Sequence, residues 1–157
     1  MRGSTRYCTF SVAERLFGVP VTEVQEVVRE QVMTRVPLSP AAVRGLINLR
    51  GQIVTAIDLR QRLGLPAGPQ HPAPLNLLVR TTEGPVSLLV DRMEDVVEVD
   101  DACLAAAPST LTAVDRRCLH GIAQLPGRLL LLLRLGPLLD LRATPAPGPS
   151  TNQTLPL

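Results

Sequence analysis

The chain has 157 residues, of which 45% are hydrophobic and only 2% aromatic, with 16 basic and 14 acidic side chains for a formal net charge of +2. This is enough for one ordinary domain with an aliphatic core, and the charge balance excludes the basic footprint of a nucleic-acid binder. All of the basic residues are Arg, a coding bias rather than a binding signal. Cys8, Cys103 and Cys118 are too few for a disulfide framework and point to a reducing cytoplasm. Met1 to Thr9 lacks the apolar stretch of a signal peptide. The leucine run Leu129 to Leu133 falls far short of the roughly 20 residues a membrane helix needs, so direct membrane insertion is not expected.

In chain order, residues 1–6 are expected to be a tail. Tyr7 to Val12 alternates and is a first strand, Ala13 to Arg15 a polar turn, and Leu16 to Val21 a second strand whose Pro20 belongs at an edge or end. Thr22 offers an N-cap to a short turn, and Val24 to Val28 returns to strand. Thr34 to Pro40 is a loop held extended by its prolines, and Ala41 to Arg44 is expected to form one helical turn. Gly45 to Arg60 then has the form of two apolar strands around Arg50-Gly51. Asp58 to Leu63 is a helical turn ended by Gly64. Residues 65–74 carry four prolines and make a linker. Leu75 to Thr81, Val86 to Val90 and Met93 to Val99 are further strands. Asp100 to Asp115 is irregular, Leu119 to Leu125 and Arg128 to Leu133 form a second hairpin, and Gly136 to Leu141 is a terminal turn. Residues 142–157 are rich in Pro and Thr and are expected to be disordered.

The second half echoes the first. Gly45 to Gly51 (GLINLRG) lies on Gly121 to Gly127 (GIAQLPG) at an offset of 76, and Glu23 to Val28 lies on Arg92 to Val97 at 69. Two copies of a five-strand unit predict an all-β chain of two small five-stranded barrels. The boundaries expected are 7–64 for the first barrel and 75–141 for the second. The echo isolates one difference: the turn with Arg50 in the first copy has Pro126 in the second, so Arg50 is not demanded by turn geometry.

No motif for nucleophilic, phosphate or metal chemistry is present, so catalysis, cofactors and metals are not expected. The acidic run Asp91 to Asp101 is the pattern of a solvated strand, and Cys118 and His120 lack the further ligands a metal needs. Gly45, Gly51, Gly121 and Gly127 serve positive φ or close backbone approach at hairpins, and Asp58 caps the following helical turn. The leucine run Leu129 to Leu133 is core. Glu26 and Arg50 are open at this level between a surface ion pair and charges bordering a partner surface, where Arg supplies a planar donor fork.

The segments FGVPVTEVQEVV (17–28), RVPLSP (35–40), VRGLINLRGQIV (43–54), IDLR (57–60), LVDRMEDV (89–97, with one further Val) and GIAQLPGR (121–128) resemble the CheW-like family, adaptors of bacterial chemosensory arrays. The resemblance implies two SH3-like five-stranded barrels packed on a shared core as a single domain over 7–141, with room for strands to cross between barrels, a receptor-docking groove near the boundary between them, and no catalysis. It implies two partners, the cytoplasmic tip of a methyl-accepting chemoreceptor and the regulatory domain of a CheA-type histidine kinase, with a cytoplasmic location at receptor arrays. It maps the receptor-facing elements onto Val24, Glu26, Asn48, Leu49 and Arg50. Pro126 and Arg134 depart from the family pattern, which leaves the alternative of a specialised paralogue that binds one partner only.

Overall fold

The computed structural model describes residues 3–29, 31–66, 74–107 and 116–141. Ten strands make two five-stranded sheets. They are β1 (Ser4–Val12), β2 (Arg15–Pro20), β3 (Val24–Val28), β4 (Val43–Leu49), β5 (Gln52–Asp58), β6 (Leu75–Thr81), β7 (Gly84–Val90), β8 (Arg92–Asp100), β9 (Leu119–Leu125) and β10 (Arg128–Leu133). Two short helices, α1 (Leu59–Arg62) and α2 (Leu135–Leu139), follow β5 and β10.

The sheets do not divide the chain as 7–64 and 75–141. One has the order β3-β6-β7-β5-β4 and draws on residues 24–90 alone, whereas the other, β8-β1-β2-β10-β9, joins the two ends of the chain. Both have the same plan. An antiparallel hairpin (β1–β2 or β6–β7) pairs on one side with an antiparallel strand (β8 or β3). On the other it pairs in parallel with the second strand of a hairpin (β10 or β5). The sequence offsets hold at both joints: Phe17 pairs with Leu131 where Val86 pairs with Thr55, and Cys8 with Val96 where Leu77 pairs with Val27. The two repeats have therefore exchanged their first hairpins, each completing the barrel of the other.

Several local expectations change. Ser4 to Arg6 belongs to β1 and pairs with Glu98 to Asp100, so the ordered chain begins before residue 7. Ala41 and Ala42 form a turn leading directly into β4, with Val43 N donating to Pro40 O at 2.9 Å, because a β-branched strand start follows at once. Leu129 is 50% exposed at the start of β10, so the core run begins at Leu130. The linker residues 67–73, the stretch 108–115 and the tail 142–157 lie outside the described residues.

The principal core lies between the sheets. Phe10, Phe17, Val19, Leu77, Leu88 and Leu133 meet there with Leu59 and Leu63 of the α1 turn and Leu135 and Leu138 of α2. The Phe10 and Phe17 rings stack with centroids 6.2 Å apart. A smaller cluster around Tyr7, Leu16, Leu130 and Leu132 fills the barrel built from the chain ends. Two polar clasps join the halves. Arg62, buried on α1, donates from Nε to Leu138 O at 2.7 Å and from Nη2 to Pro137 O at 2.8 Å, fastening one helix to the other. Asp91, where the chain leaves β7 for the other sheet, accepts from Arg60 Nη2 at 3.1 Å and from Ala13 N in the β1–β2 turn at 2.9 Å.

Candidate functional site

The hairpin β4–β5 turns through two residues with positive φ, Arg50 at 54° and Gly51 at 85°. Both central residues in the left-handed region define the type I′ turn that suits the twist of a hairpin. Asn48 Oδ1 accepts from Gly51 N at 3.0 Å and secures the turn. A non-glycine residue there costs roughly 1–2 kcal/mol. The related turn avoids this cost: the ring of Pro126 holds φ near about −65°, and only Gly127, at 73°, is left-handed. Arg50 thus occupies a strained position that a proline fills in the other copy.

Arg50 pairs through Nη2 with Glu26 Oε2. Glu26 lies on β3 and Arg50 at the tip of β4, and these are the two edges of one sheet. The pair therefore marks where the sheet curls onto itself. The segment before β4 completes the closure, as Thr34 exchanges two backbone hydrogen bonds of 2.8 Å with Leu46. Gly45 permits this approach, since a Cβ there would sit 2.7 Å from Thr34 O. With the Arg50 side chain 65% exposed, the ion pair adds at most about 1 kcal/mol to the fold.

The elements that form this corner also expose apolar side chains. Val27 on β3 is exposed, Val32 is 92% exposed, and Ile53, directly opposite Asn48 across β4–β5, is 61% exposed. Asn48 is exposed between them, Leu49 is half-buried, and Val24 packs against the inter-sheet core. The structure thus brings Glu26, Asn48 and Arg50 to one corner, with Val24 supporting it from inside. Asp58 stands apart from this corner: its Oδ1 accepts from Arg60 N (3.0 Å) and Gln61 N (3.3 Å) as cap of α1, while Oδ2 accepts from Arg44.

The other barrel carries a counterpart that motif reading misses. The offsets of 69 and 76 take Val27 to Val96 and Ile53 to Leu129, and both are again exposed. Gln124 stands opposite Leu129 as Asn48 stands opposite Ile53. Ala105 bridges to Ile122 as Thr34 does to Leu46, and a Cβ on Gly121 would meet Ala105 O at 3.3 Å. An ion pair recurs nearby, two residues after the position matching Arg50 and one before that matching Glu26: Arg128 Nη1 lies 3.8 Å from Glu94 Oε1. Arg50 is unique by position, but a guanidinium beside a carboxylate at the barrel seam is common to both copies. The signal was present in the exposed apolar residues that repeat at the same spacing.

Titration is perturbed mainly near the boundary of the barrels. Burial pushes the Glu23 carboxyl above its ordinary range. Tyr7 is raised by burial and further by Asp101 and Glu23, against a hydrogen bond from Thr5, and burial raises the Cys8 thiol. Among the described residues no three His, Cys, Asp or Glu side chains converge as a metal set. Among the same residues no helix is long and apolar enough to cross a membrane.

Comparison with known proteins agrees with this architecture. Residues 6–143 match the family model for the CheW-like domain. A probable chemotaxis protein CheW of Rhizobium etli is 28% identical over 134 residues, covering 85% of this chain and 86% of that one. The chemotaxis protein CheW of Helicobacter pylori is 28% identical over 130 residues, 83% and 78% of the two chains. The crystal structure of the scaffolding protein TtCheW from Thermoanaerobacter tengcongensis superposes with a TM-score of 0.79 at 28% identity, covering 88% of this chain and 89% of that one. With the family model spanning both barrels and the seam between them, the chain belongs to the CheW-like domain family.

Proposed function

We propose that the corner of Glu26, Asn48 and Arg50, with Val27, Val32 and Ile53 around it, is where this chemotaxis adaptor meets the chemoreceptor tip. The adaptor couples receptors to a CheA-type histidine kinase without chemistry of its own, in the cytoplasm at receptor arrays. One observation carries the reading: Arg50 is kept at a strained φ in a turn that the other repeat builds with proline, beside apolar side chains left in water. Exposed apolar residues give the contact its area, and the ion pair sets orientation and selectivity.

The matched patch of Val96, Gln124 and Leu129 supports a second docking face, for the kinase's regulatory domain. Two like surfaces on two barrels favour a two-partner coupler over a single-partner paralogue. The experiment is co-sedimentation with a receptor cytoplasmic hairpin fragment and, separately, with the kinase regulatory domain. Arg50→Asn keeps a residue tolerant of positive φ, so the melting temperature stays within about 2 °C of wild type while receptor affinity falls about ten-fold. Leu129→Asp weakens kinase binding alone. Unchanged receptor binding by a folded Arg50→Asn protein refutes the first assignment, and loss of both partners with Leu129→Asp refutes the second.

A further inference from the structure

The two repeats place the same elements around two related positions, and those positions differ. At the first, α1, the β1–β2 turn and the β7–β8 crossover meet. Arg60 and Asp91 lie across the gap, Arg60 Nη1 also donates to Pro66 O at 3.1 Å, and the space left is about 40 Å³. At the second, α2, the β6–β7 turn and the β2–β3 crossover meet. The offset of 76 carries Arg60 to Gly136, and a Cβ on Gly136 would touch nothing within 4 Å. Glu23 occupies the crossover, one residue along from the position matching Asp91. Among the described residues no guanidinium meets Glu23 as Arg60 meets Asp91, and a groove of about 880 Å³ remains.

The walls of this groove are specific. Leu135, Leu139 and Leu141 come from the α2 side and Val86 from β7, while Glu23 and Glu83 outnumber Arg80 among the charged groups and Asp140 is already engaged. Glu23 has no hydrogen-bond or ion-pair partner among the described residues, and its carboxyl is partly withdrawn from water. A smaller hollow of about 400 Å³ shares Glu23, Leu135 and Gly136 with the groove and adds Tyr7, His120 and Arg134, so Glu23 stands where the two spaces join and Glu83 lies on the groove side alone.

We propose that this groove is a third docking site, for a protein segment that presents an apolar side chain next to an Arg or Lys. The apolar side chain lies against Leu135, Leu139 and Val86. The basic group meets Glu23, supplying from outside the guanidinium that Arg60 supplies to Asp91 in the related half. Its acidic lining and apolar floor select against acidic segments. Its lining shares no residue with the Arg50 corner, and the proposal does not depend on the receptor or kinase assignment.

The test uses the full chain and a fluorescein-labelled hexapeptide of leucine and arginine, with a leucine–glutamate hexapeptide as control. Binding is followed by fluorescence polarisation and by methyl resonances of leucine and valine. The arginine peptide shifts the Val86, Leu135 and Leu139 methyls and binds about ten-fold or more tightly than the glutamate peptide. Glu23→Gln weakens binding about five-fold or more. Gly136→Arg, which fills the groove and can reach Glu23, abolishes binding with an unchanged or higher melting temperature. Arg50→Asn leaves peptide binding untouched, which separates this site from the receptor reading. Equal binding of both peptides, methyl shifts scattered outside the groove, or full binding by a folded Gly136→Arg protein would overturn the proposal. Should Gly136→Arg fail to fold, the Glu23→Gln arm decides alone: unchanged affinity there overturns it.

Discussion

Replacing Asp91 by Ala tests whether the two barrels are held by their crossover clasp. One carboxylate oxygen, Oδ2, accepts from Arg60 Nη2 at 3.1 Å and from the Ala13 amide at 2.9 Å. The partner side chains are mostly shielded, 15% exposed for Arg60 and 23% for Asp91, so water only partly replaces what is lost. A hydrogen bond to a charged group contributes about 1.5–3 kcal/mol. The ion pair is discounted for its residual exposure to about 1 kcal/mol. Together Asp91→Ala costs about 2–4 kcal/mol, or a drop of roughly 6–12 °C in melting temperature for a chain of this size. Far-ultraviolet circular dichroism during heating and in urea measures it. Asp91→Asn keeps an acceptor for Ala13 and loses about half as much. In a double-mutant cycle, Arg60→Met and Asp91→Ala couple by about 1 kcal/mol or more. A fall of less than about 2 °C for Asp91→Ala, or additive effects in the cycle, would show that the apolar core alone holds the halves together.

Other outcomes follow from the paired repeats. Gly45→Ala drives a Cβ to 2.7 Å from a backbone oxygen and breaks the Thr34–Leu46 bridge, whereas Gly121→Ala, at 3.3 Å, asks a few tenths of an ångström of its neighbour. The first costs about 2 kcal/mol or more by urea unfolding and the second under about 1; equal costs would refute the close-approach account. Glu23 has a folded-state pKa raised by burial. The folded protein then holds that proton more tightly than the unfolded chain, so the stability tied to Glu23 is complete below the unfolded pKa. It is lost as pH rises through the folded one. Glu23→Gln is therefore more stable than wild type at pH 7, and the difference shrinks as pH is lowered through the carboxylate range. A constant difference across pH would refute the burial.

Strand positions and the β4–β5 hairpin were legible because alternation and turn chemistry are local. The pairing of the repeats was not. Offsets of 69 and 76 reveal two copies but not which hairpin completes which barrel. Phe17 buries its ring equally well in either arrangement as far as its own strand pattern tells. Leu129 was misjudged because a run of leucines gives no sign of where a strand emerges from under its neighbours. Ser4 to Arg6 is polar, and its place in β1 depends on backbone pairing to β8 rather than on side-chain burial. The Arg50 corner was found through the contrast with Pro126, but the turn's left-handed geometry made that contrast physical. The second patch went unseen because Leu129 sits in a leucine run whose composition suggests core, and Val96 in an acidic run read only as a solvated strand.

The exchange of hairpins also sets a timetable for synthesis. Every strand of one barrel lies within residues 24–90, so it can close while the remainder of the chain is still being made. The β1–β2 hairpin leaves the ribosome first, yet its parallel partner for Leu16 to Gly18 is Leu130 to Leu132. At about 5–20 residues per second, that hairpin waits on the order of ten seconds for its last neighbour. Until residue 90 is made Phe10, Phe17 and Val19 have no closed barrel to shelter them, and until β10 follows the open edge of β2 is a template for any other strand. The nascent chain is thus most vulnerable at its oldest end, where a chaperone that recognises apolar hairpins would act.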